Sequence, residues 1–209
     1  MNAGEKNGIK EFLTNEVLRY QSDTLSQVTE KRLAEIRRDR PSIPVIYVSA
    51  GTAAIISGGI KSASAIEEYL NEMDMKAEVV RVGCHGPAPF EPMVCIHIPG
   101  KNKLIFRNIT EEKVEALLNG VFHSDMPEED LVAQAGTTGF EAWHGIPFIE
   151  EIPWFRLQKR VILSNCGCYD PCSIEEYIAR GGYRTFLKTI RNYTLEEVCD
   201  IIEKCGLRG

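Results

Sequence analysis

The residues best suited to chemistry in this chain are its cysteines. Three of the seven crowd into Cys166-Gly-Cys-Tyr-Asp-Pro-Cys172, the pattern Cys-x-Cys-x3-Cys. Thiolates this close can join a fourth ligand to hold zinc or an iron–sulfur cluster. Cys166, Cys168 and Cys172 are therefore candidate metal ligands, the alternative being a loop of small residues ahead of a helix that Ser173 caps. Cys84 is followed by His85. A neighbouring imidazolium would favour the thiolate, whereas a small residue in a tight loop needs no such partner. Cys95 and His97 alternate along one run and so share a face. Cys199 and Cys205 fall on or near the apolar face of the last helix, where burial is the expectation. His123 and His144 stand alone and read as surface or satisfied residues. No Ser–His–Asp order, metalloprotease helix or strand-linked GxGxxG is present, so no catalytic residue is nominated. A thiol redox protein acting through Cys84 or the 166–172 run lacks Cys-x-x-Cys and ranks behind the other readings.

The elements that must position these groups follow from apolar periodicity. Ile9, Phe12, Leu13, Val17 and Leu18, then more loosely Val28, Leu33 and Ile36, recur at helical spacing. Pro41 and Pro44 end that pattern. Residues 43–48 (Ile-Pro-Val-Ile-Tyr-Val), 77–82 (Ala-Glu-Val-Val-Arg-Val) and 93–98 (Met-Val-Cys-Ile-His-Ile) read as strands, and Pro99-Gly100 turns into a fourth at Leu104-Ile-Phe. A helix over roughly 60–73 carries Ile66, Tyr69, Leu70 and Met73 on one face. A second is capped by Thr110 and runs through Leu118, with Gly120 near its end. The order βα–ββ–α predicts a parallel crossover pair and an antiparallel hairpin. That is an α/β fold, a small mixed sheet with flanking helices of thioredoxin-like kind, over roughly 43–125. Residues 126–159 read as an irregular linker or arm, although Trp143, Phe148, Trp154 and Phe155 require something to pack on. Residues 160–164 (Arg-Val-Ile-Leu-Ser) are a further strand candidate. Ser173-Ile-Glu-Glu and Thr194-Leu-Glu-Glu are capping-box starts, and Gly206 supplies the last stop. The expected division is a helical extension (1–42), the thioredoxin-like domain (43–125), the arm (126–159) and an α+β segment (160–209).

In such a sheet the loops after the first two strands share one end. They read Val48-Ser-Ala-Gly-Thr-Ala-Ala and Val82-Gly-Cys-His-Gly-Pro-Ala-Pro. The pair resembles the loops of thioredoxin-like [2Fe–2S] domains in complex I-type NADH dehydrogenases and electron-bifurcating hydrogenases. That resemblance implies four ligand positions at Ser49, Ala54, Cys84 and Ala88. Only Cys84 is a thiol, whereas a [2Fe–2S] centre takes four thiolates and a serine oxygen is a poor soft-metal ligand. The expectation is that no cluster is held there.

Residues 150–209 resemble the opening of the flavin- and NADH-binding subunit of the same family. The stretches that carry this are Glu151-Ile-Pro-Trp-Phe, Gln158-Lys-Arg-Val-Ile-Leu-Ser-Asn-Cys-Gly, Asp170-Pro-Cys-Ser-Ile-Glu-Glu-Tyr-Ile-Ala-Arg-Gly-Gly-Tyr, and Thr194-Leu-Glu-Glu-Val with Gly206-Leu-Arg-Gly. The family's chain continues from there into a glycine-rich loop that cradles the FMN phosphate, and this chain stops at Gly209. The resemblance implies the N-terminal part of an electron-transfer subunit carrying electrons from NADH to FMN to iron–sulfur clusters. FMN, NAD and clusters belong to the full subunit or complex, and the other subunits of a dehydrogenase or hydrogenase are the partners. The rival expectation is a redox-inert interaction or assembly module retained for its surface.

Composition restricts the alternatives. The 209 residues are 44% hydrophobic and 26% charged, as in ordinary globular proteins. The net charge of −6 and the absence of a basic stripe argue against a nucleic-acid partner. No apolar run approaches the ~20 residues of a membrane span, and the start lacks a signal peptide's apolar stretch. A cytoplasmic protein is expected. In a reducing compartment an odd number of cysteines does not read as a disulfide framework. The acidic stretch Asp125, Glu128, Glu129 and Asp130 reads as a solvated face.

Overall fold

The computed structural model describes residues 3–19, 25–123, 126–206 and 208; Asp125 and part of the 206–209 stretch lie outside them. In chain order the elements are α1 (Ala3–Phe12), α2 (Gln27–Ile36), β1 (Val45–Ser49), α3 (Thr52–Ile56), α4 (Gly59–Glu72), β2 (Glu78–Val82), β3 (Val94–His97), β4 (Lys103–Phe106), α5 (Val114–His123), β5 (Leu131–Ala135), α6 (Pro153–Arg156), α7 (Ile174–Ala179), α8 (Arg184–Asn192) and α9 (Leu195–Cys205). They form two compact units. One combines Met1–Asp39 with Ser173–Gly209, and the other is Arg40–Cys172. No helix among the described residues is long and apolar enough to cross a membrane.

The larger unit is built on a mixed sheet in the order β2-β1-β3-β4-β5. Every residue of β1 is buried, as the continuous β-branched run requires of a strand covered on both faces. β1 and β2 run parallel, Val45 opposite Glu78 and Ser49 opposite Val82, joined through α4. β3 pairs antiparallel with β1, and the Pro99-Gly100 turn returns the chain as β4. This βα–ββ–α connectivity is thioredoxin-like, as the sequence predicts. Side-chain alternation divides the core. Ile46, Val48, Val94, Ile96, Leu104 and Phe106 face α4 and α5. Val45, Tyr47, Val80, Val82, Met93, Cys95 and Ile105 line the other face. Two polar contacts secure the helices: Ser62 Oγ donates to the Ile109 carbonyl at 2.7 Å, and Tyr69 donates to Asn119 at 2.6 Å. α5 runs past Gly120, because Val121 continues its buried face.

The expected arm contains a fifth strand. β5 pairs antiparallel with β4, with an irregularity at Ile105/Phe106. Its sequence, Leu-Val-Ala-Gln-Ala, lacks the bulky alternation that marks a strand. What holds it is a buried polar network: Asn102 donates to Gln134 at 3.0 Å, and Gln134 donates to the Trp143 and Ile146 carbonyls at 2.9 and 2.6 Å. The Trp143 indole N–H in turn donates to the Asn102 carbonyl at 2.7 Å. The strand expected at 160–164 is instead a turn, and Ile162 is 90% exposed. A strand needs a neighbour for its backbone groups, and none of the described strands pairs with this segment.

In the other unit, Phe12, Leu13, Val17 and Leu33 pack with Ile178 and Ala179 of α7. Arg37 donates to the Ala179 carbonyl and Arg180 to the Arg37 carbonyl, both at 3.2 Å. Ser173 caps α7, accepting from the Glu176 N–H at 3.2 Å, while the buried Glu176 carboxylate pairs with Arg38 at 2.8 Å. Thr194 and Glu197 form the full capping box of α9, and Gly206 ends it in the left-handed conformation. α8 and α9 have no buried residues. Cys199 and Cys205 are exposed, contrary to the burial expected of them, as are Leu195, Ile201 and Ile202 of the same helix.

Candidate functional site at the ends of β1 and β2

β1 ends at Ser49, where the backbone turns between its neighbours: Ser49 N–H donates to the Met93 carbonyl at 3.0 Å and Ala50 N–H to the Val82 carbonyl at 2.8 Å. The chain then enters α3 and α4. Gly59 makes this turn possible, since a β-carbon there would lie 2.9 Å from the carbonyl oxygens of both Ser49 and Ala54. A β-carbon at Gly51 would sit 3.4 Å from the Cys84 β-carbon. The two loops expected to cooperate therefore do meet, bringing Ser49, Ala54 and Cys84 to one end of the sheet. Ala54 is fully buried. Ala88 is exposed in a short turn (Ala88–Phe90), and its carbonyl accepts from the Glu91 N–H at 3.1 Å.

The residue that organises this end is Glu91, only 5% exposed. Ser49 Oγ donates a short hydrogen bond to Glu91 Oε2. Met93 N–H donates to the same oxygen at 2.9 Å and to Ser49 Oγ at 2.8 Å. No signal in the sequence marks this carboxylate: it sits between Phe90 and Pro92 in no recognisable motif. The donor set does not fit a [2Fe–2S] cluster. Of the four positions one is a thiol, two are methyl groups, and the hydroxyl is committed to a carboxylate.

Cys84 is not poised as a thiolate. Burial pushes its thiol up, and the charges of Glu91 and Cys166 add to this against the Gly86 N–H, which donates to Cys84 Sγ at 3.2 Å. His85, adjacent in sequence, gives no cationic help. Burial, then Lys103 and Arg160, hold its imidazole neutral down to about 4 against the opposing Glu91 charge. Its Nε2 faces Cys95 Sγ at 3.5 Å instead. Burial lifts the Cys95 thiol to about 12. His97 shares that face as expected, is buried edge-on to Phe140 at 5.1 Å, and is pushed down to about 4 by burial and Lys103. Lys103 lies over the Tyr47 ring at 4.0 Å.

The 160–168 turn packs against the second loop. Arg160 donates to the His85 carbonyl, and Gly167 lies so close to the His85 ring that a side chain there would overlap it. Cys166 and Cys168 are half-buried in this turn, whereas Cys172 is exposed. Among the described residues, no three His, Cys, Asp or Glu side chains are arranged to hold a metal ion. His123 ends α5 with Nδ1 3.2 Å from the Asn119 carbonyl oxygen, and His144 is exposed in a turn.

No family model matches this chain. Over 52 residues it is 44% identical to the NADP-reducing hydrogenase subunit HndC of Solidesulfovibrio fructosivorans. The matched stretch is 25% of this chain and spans 10% of that protein. Two solved structures of a thioredoxin-like [2Fe–2S] ferredoxin from Aquifex aeolicus superpose with TM-scores of 0.39 and 0.38 at 13% identity. They cover 48% and 44% of this chain and 100% and 99% of theirs. At these values the thioredoxin-like assignment stands on the strand order and directions, not on the superposition.

Proposed function

We propose that this chain is the N-terminal part of an electron-transfer subunit of the NADH dehydrogenase and hydrogenase type, in which the thioredoxin-like unit serves docking. The observation that carries this reading is the pair of loops at the ends of β1 and β2. They meet as a cluster-binding pair would, yet present Ser49, Ala54, Cys84 and Ala88. The likeness to HndC supports the family, and the Ser49–Glu91 bonding supports a unit that has replaced cluster ligands by a structural polar network.

On this reading residues 160–209 open an FMN- and NADH-binding domain. The exposed apolar residues of α8 and α9, Phe186, Ile190, Ile201 and Ile202 among them, are surface that the rest of the assembly covers. FMN, NAD and the clusters would supply hydride and single-electron chemistry elsewhere in that assembly. This chain's residues position and pack.

The test is co-purification of the full chain with the hydrogenase- or dehydrogenase-type subunits of its own cell, with NAD(P)H-dependent reduction of an acceptor dye as readout. Loss of activity on deleting the chain, and its return on adding the chain back, is the expected result. An assembly that forms and turns over fully without it would overturn the proposal. Iron–sulfur charge-transfer bands in the anaerobically purified chain would overturn the docking role.

A further inference from the structure

The thiols of the 160–168 turn remain outside that reading. Cys84 lies in the loop after β2 and Cys166 in the 160–168 turn, and the two segments are fastened face to face. Arg160 holds the His85 carbonyl, and the His85 ring lies on the Gly167 backbone with no room for a side chain between. Cys166 and Cys168 flank Gly167 as Cys84 and Gly86 flank His85. Burial dominates at both Cys84 and Cys95, with Glu91 also acting on the first and Lys103 on the second; Cys166 adds a lesser upward push on Cys84, and Cys168 one on Cys95. Cys84 and Cys166 are both half-exposed and so reachable by a small molecule, whereas Cys95 is sealed in the core. A glycine with positive φ between the two cysteines of the turn leaves its backbone room to adjust to disulfide geometry.

We propose that Cys84 and Cys166 are a thiol pair that low-molecular-weight disulfides of the glutathione type oxidise to a cross-link, stapling the 160–168 turn to the loop after β2. The Cys166 sulfur, on losing its proton, attacks one sulfur of the oxidised glutathione and releases a first glutathione. The Cys84 sulfur, on losing its proton, attacks Cys166 Sγ in the mixed disulfide and releases the second. The two cysteine protons end on the two glutathione thiols, so one disulfide is reduced for each one formed. The apolar residues Val161, Ile162 and Leu163, exposed in this turn, are then held at the sheet end. In the reduced chain the Arg160 hydrogen bond and the His85 packing hold the turn there without a covalent link. This inference does not depend on the docking role: the pair can cross-link whether or not the chain joins a larger assembly.

The experiment treats the full chain with oxidised glutathione, quenches free thiols, and maps tryptic peptides without reduction. The expected product joins peptide 82–101, which carries Cys84 and Cys95, to peptide 161–180, which carries Cys166, Cys168 and Cys172. Fragmentation should place the bond at Cys84 and Cys166. The linked peptide should vanish in Cys84→Ser and in Cys166→Ser and persist in Cys168→Ser and Cys172→Ser. Oxidation should also slow tryptic cleavage after Lys159 and Arg160 in the native chain. Stable glutathione adducts without a linked peptide, a bond closed within 161–180, or a linkage that survives Cys84→Ser would each overturn the proposal. Fragmentation of the wild-type product decides the matter even where a variant fails to fold.

Discussion

Ser49→Ala tests whether the sheet end is organised by a carboxylate. The hydroxyl donates to Glu91 Oε2 and accepts from the Met93 N–H. Its removal takes one donor from a buried carboxylate, while the Met93 N–H keeps its second acceptor on Glu91 at 2.9 Å. Hydrogen bonds to charged groups are worth about 1.5–3 kcal/mol, and Ser and Ala differ too little in volume for a large cavity effect. A loss of about 2 kcal/mol is expected. With a urea slope of about 1–3 kcal/mol per molar, the midpoint falls by roughly 1 M. Both tryptophans, Trp143 and Trp154, lie in the 40–172 unit, so tryptophan fluorescence reads that unit alone. In a Glu91→Gln background the same substitution removes a neutral hydrogen bond and costs about 1 kcal/mol. A midpoint shift below about 0.2 M with unchanged slope, or an equal cost in both backgrounds, would refute the reasoning.

Gly59→Ala places a methyl group 2.9 Å from two carbonyl oxygens; the strain of about 1–3 kcal/mol exceeds the roughly 0.5–1 kcal/mol that alanine gains in a helix. A lower urea midpoint is expected. His85 has a folded pKa of about 4 against an ordinary 6.5. The unfolded chain therefore binds the proton first, and stability present above pH ~6.5 is lost as pH falls toward 4, by up to about 3 kcal/mol from this group. His85→Gln should flatten that stretch of the stability–pH curve; an unchanged slope would rule the imidazole out as its source. Phe186→Ser on the exposed side of α8 should shift the isolated chain's stability by less than about 0.5 kcal/mol. It should still weaken co-purification with partner subunits, and unaltered recovery would count against docking through this helix.

Much of the sheet was legible because its signals are local. The β-branched runs at β1 and β2, the apolar face of α4 and the Pro99-Gly100 turn each point to the element the structure contains. β5 was not, because Leu131–Ala135 owes its place to the Gln134–Asn102–Trp143 network, a tertiary arrangement with no periodicity to read. The turn at 160–168 misled for the opposite reason: Val161, Ile162 and Leu163 have the composition of a strand, but pairing is decided by neighbours. At the candidate site the two loops follow from the strand order, and Cys84 stands out through the family resemblance. Glu91 and Arg160 could not be read, since a lone carboxylate and a lone guanidinium acquire their roles only from what faces them. His85 shows the limit of adjacency: next to Cys84 in sequence, its ring turns to Cys95 and Gly167.

The smaller unit joins Phe12, Leu13, Val17 and Leu33 to Ile178 and Ala179, with the whole of the other unit between them in the chain. On the ribosome the first four emerge early, and the partners that cover them follow more than a hundred residues later. At ordinary elongation rates the nascent helices wait on the order of ten seconds with their apolar stripe uncovered. The inserted sheet can complete its own core in that interval, so residues 40–172 can fold before Ile178 and Ala179 arrive to cover the first helices.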